Sequence, residues 1–370
     1  MTKKKDCNTI LPLIAEGNAP AFSEEEKCTI LKDTFFKGGH LRTDEYDDTF
    51  YKETMEEYKN ICNMEDKIKA TKHKLDYEIT SDEVEDAIFA LEIGKSPGAD
   101  DHFPELFKFA GPNFIEAMRV MINLSWNNGK LPTEWKTANV KFLRKQGKTN
   151  YYSPSSYRPI SLTSVMCKIT ERIILNRLAA FIEGMQIIDI NQEGFRKNHS
   201  TSNCLLRFIQ NVIEKYNKGE ITLACLIDLE KAYDSIWREG LMVKLHKLGI
   251  QGKTWKWIKN FLNNRMAKCI FDGFIGTEFE TNIGLPQGSV LAPTLFNIYI
   301  NEFLNDIKGE NTKFADDGTM WQSRKPEKID ELKEEMAQDI GKAIEWTRKW
   351  RVNISIEKTE VCMFTKKKNQ

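Results

Sequence analysis

No stretch of this 370-residue chain is apolar for long enough to span a bilayer, which argues against a helical membrane protein. No apolar run follows the basic opening Met1-Thr2-Lys3-Lys4-Lys5, so no secretory leader is expected. Net charge is missing as well: 54 basic residues balance 54 acidic ones. Proteins that handle nucleic acid usually carry a basic excess, so any such role here needs a local basic channel within a neutral whole. Base gathers at Lys136–Lys148 and Lys366-Lys367-Lys368, acid at Glu24-Glu25-Glu26, Asp44-Glu45 and Asp47-Asp48. None of the eight cysteines stands in C-x-x-C spacing, which disfavours a zinc frame or disulfide scaffold and suits reduced thiols in an intracellular protein. What remains is 41% hydrophobic residues, enough for a sizeable core in two or three lobes.

Within that frame, Lys313-Phe314-Ala315-Asp316-Asp317-Gly318 stands out. Two adjacent acids follow a short apolar approach and precede Gly318, a turn residue, which predicts a β-hairpin tip presenting both carboxylates. Adjacent aspartates repel, and a divalent cation with a preference for hard oxygen ligands, such as Mg²⁺, would compensate them. A solvated Asp-Asp turn is the plain alternative. A second acidic site counts against it: Leu223-Ala224-Cys225-Leu226-Ile227-Asp228 predicts a buried central strand ending in a carboxylate. If Asp228 meets Asp316 and Asp317, three carboxylates converge as in a two-metal nucleotidyl-transfer centre.

These segments, together with Tyr157-Arg158-Pro159-Ile160-Ser161-Leu162, Gly194-Phe195-Arg196, Leu285-Pro286-Gln287-Gly288-Ser289 and Lys358-Thr359, occur in order between about residues 75 and 365. In that order they resemble the reverse transcriptase of a non-LTR (LINE-type, jockey-like) retrotransposon. The resemblance implies an α+β right-hand polymerase with fingers and a ferredoxin-like palm, a helical N-terminal extension and, in this chain, neither endonuclease nor thumb. The expected layout is a polar region at 1–75, partly helical or disordered, the N-terminal extension at 76–135, fingers at 136–215, palm at 216–365 and a basic tail at 366–370. The implied activity is RNA-directed DNA synthesis with an RNA template, a DNA primer, dNTPs and two Mg²⁺ ions, Mn²⁺ being a possible substitute. Cytoplasm and nucleus are the implied locations, with no membrane partner.

The same resemblance assigns roles. Asp228, Asp316 and Asp317 would hold metal and carry catalysis. Lys145 and Arg158 would reach the triphosphate, which needs cations beyond its metal. Tyr233 would floor the sugar pocket and exclude a 2′-hydroxyl. Gln287 and Gly288 would hold the template base, and Lys358 would protonate the leaving pyrophosphate or position the triphosphate, a surface lysine being the alternative. Lys95-Ser96-Pro97-Gly98-Ala99-Asp100 is either a template-touching motif or a plain turn. Competing functional readings are a truncated, non-catalytic RNA-binding remnant and an RNA-dependent RNA polymerase, the latter disfavoured by Phe314-Ala315 and the Pro-Gln-Gly loop.

Patterning predicts the scaffold. Thr80-Ser81-Asp82-Glu83 is a capping box opening a helix through Val84, Ile88 and Leu91 to a stop at Gly94. Residues 105–130 read as a helix built around Leu106, Phe109, Met118, Ile122 and Trp126, and Ala138–Lys145 forms a strand. Val165, Ile169 and Ile173 mark a helix ending near Gly184, and Leu205, Phe208, Ile209 and Val212 face inward on another. Phe195 either stacks on template bases or lies in the core. Leu241, Leu245 and Leu248 form a helix stopped by Gly249, and Trp255, Trp257 and Phe261 pack in the core. Asp272-Gly273 signals a hairpin. A buried helix runs from Val290 to about Asn305. Ile329, Leu332, Met336, Ile340 and Ile344 stripe a long helix, and the last strand lies near Val352–Phe364.

Overall fold

The structure, a computed structural model, describes residues 12–15, 19–36, 46–68 and 73–366. The basic N-terminal segment, Asp44-Glu45 and tail residues 367–370 lie outside the described residues. Among the described residues no helix is long and apolar enough to cross a membrane, and the cysteines are free thiols.

In chain order the helices are Glu24–Phe36 (α1), Asp48–Glu65 (α2), Ser81–Phe89 (α3), Pro104–Lys108 (α4), Pro112–Asn128 (α5), Thr133–Lys136 (α6), Val165–Gly184 (α7), Thr201–Asn217 (α8), Arg238–Lys247 (α9), Gly252–Leu262 (α10), Ala292–Tyr299 (α11) and Ile329–Trp350 (α12). The strands are Thr137–Arg144 (β1), Tyr157–Leu162 (β2), Ile221–Glu230 (β3), Arg265–Phe271 (β4), Phe274–Thr281 (β5), Glu310–Phe314 (β6), Asp317–Arg324 (β7), Asn353–Ile354 (β8) and Glu360–Phe364 (β9). Helices and sheets mix throughout, as expected of an α+β fold. The chain divides into two compact units, each assembled from three separate stretches.

The first unit draws on residues 1–40, 70–176 and 251–292. Its sheet runs β2-β1-β4-β5, with β1 and β4 parallel and the other pairs antiparallel. Helix α1 lays Cys28, Leu31 and Phe35 on this sheet, against Val140, Phe142, Tyr157, Ala267 and Cys269. The capping box forms as patterned: the Glu83 amide donates to Thr80 Oγ1 (3.3 Å), and the Thr80 amide to Glu83 Oε2 (3.0 Å). Helix α3 stops at Phe89, short of Gly94. Asp76 accepts the first amides of α10, Lys253 (3.0 Å) and Thr254 (2.9 Å), an N-terminal cap reaching across the sequence. The β4–β5 hairpin turns on Asp272-Gly273 as expected.

One correction concerns 105–130. Gly111-Pro112 breaks that helix into α4 and α5, because proline at N1 opens a new helix instead of continuing the old one. Leu106 (56% exposed) and Phe109 (79%) consequently face outward, and Phe107 takes the buried place.

The second unit draws on residues 41–69, 177–250 and 293–370. Its sheet runs β6-β7-β3-β8, with β9 also on β3. The apolar run of β3 lies at the centre because it has partners on both edges: β7 along Ile221–Asp228, and β9 then β8 on the other side. Helix α12 packs on β7, β3 and β8, α8 on β6 and β3, and α2 on α9. Four expectations change here. On α8, Leu205 (57% exposed) and Ile209 (42%) point outward, and Phe208 makes the contact with the sheet through Trp321 (5.1 Å) and Phe364 (5.6 Å). Helix α11 ends at Tyr299, since the chain must then bend to turn the carbonyls of Asn301 and Phe303 onto the buried Lys313 ammonium (3.0 and 2.8 Å). On α12 the buried stripe shifts from Ile340 and Ile344 to Asp339, Ala343 and Trp346. Asp339 is tolerated in the interior because it accepts the Lys308 and Gly309 amides (2.9 Å each). Gly318 lies inside β7, opposite Lys313, instead of in the turn, and Phe303 and Leu304 fill the space its missing side chain leaves.

Candidate active site

The antiparallel β3–β7 register ends with Asp228 opposite Asp317. Directly opposed residues on such a ladder carry their side chains on one face, about 5 Å apart at Cβ. Asp316 sits one residue before, in the β6–β7 turn. Two strands distant in sequence thus bring the acids together. Their mutual repulsion shows in the Asp317 carboxyl, which is raised above its usual range by partial burial, then by the charges of Asp316 and Asp228. Lys358 answers part of that charge. It lies in the β8–β9 turn, and its Nζ donates to Asp228 Oδ2 at 2.8 Å, which holds the ammonium above its ordinary value. The Ser355 amide ties the same turn to the Asp228 carbonyl (2.8 Å).

The turn bearing the acids is braced by residues that carried no assigned role in the sequence. Gln192 Oε1 accepts the amides of Gly194 (2.9 Å) and Ala315 (3.1 Å), and its Nε2 donates to the Ala315 carbonyl (3.3 Å). Gly194 has no room for a side chain: a Cβ there would overlap the Ala315 amide nitrogen. Asn297 Nδ2 donates to the Gly194 carbonyl (2.7 Å). Lys313, 1% exposed, pairs with Asp189 (2.6 Å) and anchors the strand leading into the turn. The Gly-Phe-Arg motif signalled Gly194, but nothing in local pattern marked Gln192 or Asn297 as its partners.

Tyr233 follows β3 in a turn. Its ring stacks on Phe296 (centroids 4.6 Å apart, planes at 6°) and meets the edge of Phe195 at 6.0 Å. Burial, then the nearby Asp316 charge, pushes the phenol well above its ordinary range. Phe195 is 47% exposed, so it is neither sunk in the core nor wholly free.

The acids suit a divalent cation by their chemistry, offering hard carboxylate oxygens and unbalanced negative charge. As placed, no three His, Cys, Asp or Glu side chains among the described residues stand close enough to hold an ion, and Lys358 supplies the cation at Asp228.

The remaining sequence-derived site residues belong to the first unit. Lys145 follows β1 and donates from Nζ to the Ser155 carbonyl (2.9 Å). Arg158 is an exposed residue of β2, opposite Leu143. The Gln287 carbonyl accepts the Ser161 amide of the same strand at 2.6 Å. Gly288 has φ of 115°, and a Cβ there would stand 2.5 Å from the Ser161 carbonyl oxygen, so only glycine fits. Gly98 is similarly closed off, by the backbone of Thr163 and Ser164.

Comparison with known proteins gives this geometry a family context. The model for "Reverse transcriptase (RNA-dependent DNA polymerase)" matches residues 143–370. The chain is similar to the probable RNA-directed DNA polymerase from transposon BS of Drosophila melanogaster, at 27% identity over 96% of this chain and 39% of the relative. It is similar also to the RNA-directed DNA polymerase from mobile element jockey of the same species (28%; 76% of this chain, 31% of the relative) and to the probable polymerase from transposon X-element (29%; 77% and 32%). The chain therefore spans about a third of the length of these curated relatives.

Proposed function

We propose, starting from the fact that this chain belongs to the reverse transcriptase (RNA-dependent DNA polymerase) family, that it adds dNTPs to a primer 3′-hydroxyl on an RNA template as part of retrotransposition. The observation that carries this is the pairing of Asp228 with Asp317 at the end of the central strand pair, with Asp316 in the adjoining turn. Divalent-metal dependence comes with the family; two Mg²⁺ ions, replaceable by Mn²⁺, are part of the proposal. When bound, such ions would lower the pKa of the 3′-hydroxyl and steady the phosphates. Asp228, Asp316 and Asp317 would supply the ligands, and Lys358 would have to leave Asp228 and turn to the triphosphate or leaving group. Tyr233, held flat against Phe296, would present a rigid ring to the sugar and reject a 2′-hydroxyl by overlap. Lys145 and Arg158 would serve the triphosphate, Gln287 and Gly288 the template base. In the family's right-hand description, the sheet with the acids is the ferredoxin-like palm.

A second reading, the non-catalytic RNA-binding remnant, draws on the ammonium at Asp228 and the lack of a closed three-ligand group among the described residues. Primer extension on poly(rA)/oligo(dT) separates the two. A Mg²⁺-dependent product lost in Asp316→Asn supports the polymerase; RNA binding without extension supports the remnant.

A further inference from the structure

Glu171 lies in α7, within the first unit, and has no solvent exposure. A buried carboxylate is expensive unless its oxygens are satisfied, and an apolar residue of that size would be cheaper to bury. Its Oε2 is spent on the loop that follows β5. Ser289 Oγ donates to it, and the Leu291 amide donates to it at 3.1 Å. The same Ser289 oxygen accepts the amides of Leu291 (3.2 Å) and Ala292 (3.1 Å), capping the start of α11. The loop is pinned again two residues earlier, where the Gln287 carbonyl takes the Ser161 amide and Gly288 closes on the Ser161 carbonyl. Ser161 lies three residues beyond Arg158 on β2. Arg265, 2% exposed, supplies buried positive charge to the same neighbourhood; burial lowers its pKa, while Cys167 and Glu171 oppose the shift. Glu171 therefore fixes one end of the loop at Ser289 and β2 fixes the other at Gln287, leaving only Gly288, at φ 115°, between the anchors.

We infer that Glu171 is a positioning residue for the Gln287-Gly288 loop, setting nucleotide and template selection without touching either. This rests on the reading of that loop as template-facing polymerase machinery. The buried pair Glu171–Ser289 transmits to Gln287 through backbone alone, so its loss should loosen the loop while the unit stays folded.

The test is backbone hydrogen exchange read by mass spectrometry on the whole chain, with steady-state primer extension alongside. In Glu171→Ala, exchange at residues 284–292 and at Ser161 should rise about tenfold or more, and the KM for dNTP should rise about tenfold with a smaller change in kcat. In Glu171→Gln both should recover, because the amide oxygen still accepts from Ser289 and Leu291. Should Glu171→Ala fail to fold, Ser289→Ala removes the same bond from the loop side with the same local signature, and Glu171→Gln combined with Ser289→Ala should be no worse than Ser289→Ala alone. Loop exchange at the wild-type rate overturns the inference. So does exchange that rises uniformly through β1 and β4, since that marks a purely structural role. Wild-type chain that binds RNA and extends nothing sinks the polymerase reading instead, and loop exchange alone then decides whether Glu171 positions the loop.

Discussion

The β4–β5 hairpin turns on Asp272 and Gly273, both at positive φ (47° and 91°), with open space around the glycine. The β6–β7 hairpin turns on Ala315 and Asp316, between the paired residues Phe314 and Asp317. There only the first turn residue, Ala315, has positive φ (54°), the pattern of a turn that normally places glycine at that position. Alanine in the left-handed region carries about 1 kcal/mol of strain, whereas Asp and Gly enter that region readily. The first hairpin merely reverses the chain and uses residues that do so at ease. The second presents two acids beside a third, on a backbone held in place by Gln192, Gly194, Asn297 and Lys313. The difference teaches that order at this site is imposed by neighbours distant in sequence, and substitutions at matched positions of the two hairpins should expose it.

The largest contrast is expected between Asp317→Asn and Asp272→Asn. The former should abolish primer extension, by on the order of 10³-fold or more, and still raise the melting temperature, because it removes a repelled charge. The sign follows from the Asp317 carboxyl, raised above its ordinary value of 3.8 by partial burial, Asp316 and Asp228. The folded chain holds that proton more tightly than the unfolded one. Its stabilising contribution is therefore full below 3.8 and is lost as pH rises through the raised value. Melting curves from pH 3 to 7 should show Asp317→Asn losing that decline, whereas Asp272→Asn should leave both activity and melting within error. Equal pH profiles for wild type and Asp317→Asn would refute the electrostatic account.

Next comes the glycine pair. Gly194→Ala forces a Cβ onto the Ala315 backbone, which cannot yield without moving the acid-bearing turn, and should cost about 3 kcal/mol or more. Gly273→Ala meets no neighbour and should cost only about 1 kcal/mol, from backbone conformation. Urea denaturation checks both, and similar losses would mean that Gly194 is not the brace described.

How much of this was legible beforehand follows from the range of the signals. The strand ending in Asp228, the Asp316-Asp317 hairpin, the Asp272-Gly273 turn and the Thr80 capping box are local patterns, and each forms within a few residues of where periodicity and turn chemistry put it. The brace was not legible. Gln192 and Ala315 are separated by 123 positions, and a buried glutamine looks like any polar loop residue until its partners are seen. Glu171 was equally hidden, one charged residue among Lys168, Thr170 and Arg172 of α7, whose need is met 118 residues later. The outward turn of Leu205 and Ile209 on α8 shows the opposite failure, an apolar periodicity that the described residues do not cover.

Gln192→Ala sharpens the contrast further. It strips the buried amides of Gly194 and Ala315 of their acceptor, an expected loss of about 2 kcal/mol, whereas the turn glycine of the first hairpin has open space where a side chain would stand. Hydrogen exchange at Ala315 should accelerate before global unfolding does, and an unchanged rate would remove Gln192 from the brace.

The smallest effect is the most informative about cause. Ala315→Gly relieves the left-handed strain, worth about 1 kcal/mol, and gives some of it back through the extra freedom of glycine in the unfolded chain. The net change in stability should lie within about 0.5 kcal/mol of zero. If the strained turn matters because it fixes where Asp316 points, kcat should fall several-fold at unchanged stability, since glycine lets the turn sample positions that alanine forbids. If the strain is only tolerated, kcat should stay constant. Primer-extension kinetics on Ala315→Gly, with Gly273→Ala as the counterpart in the relaxed hairpin, decide between a turn that stores conformational energy for presenting the acids and one that merely survives it.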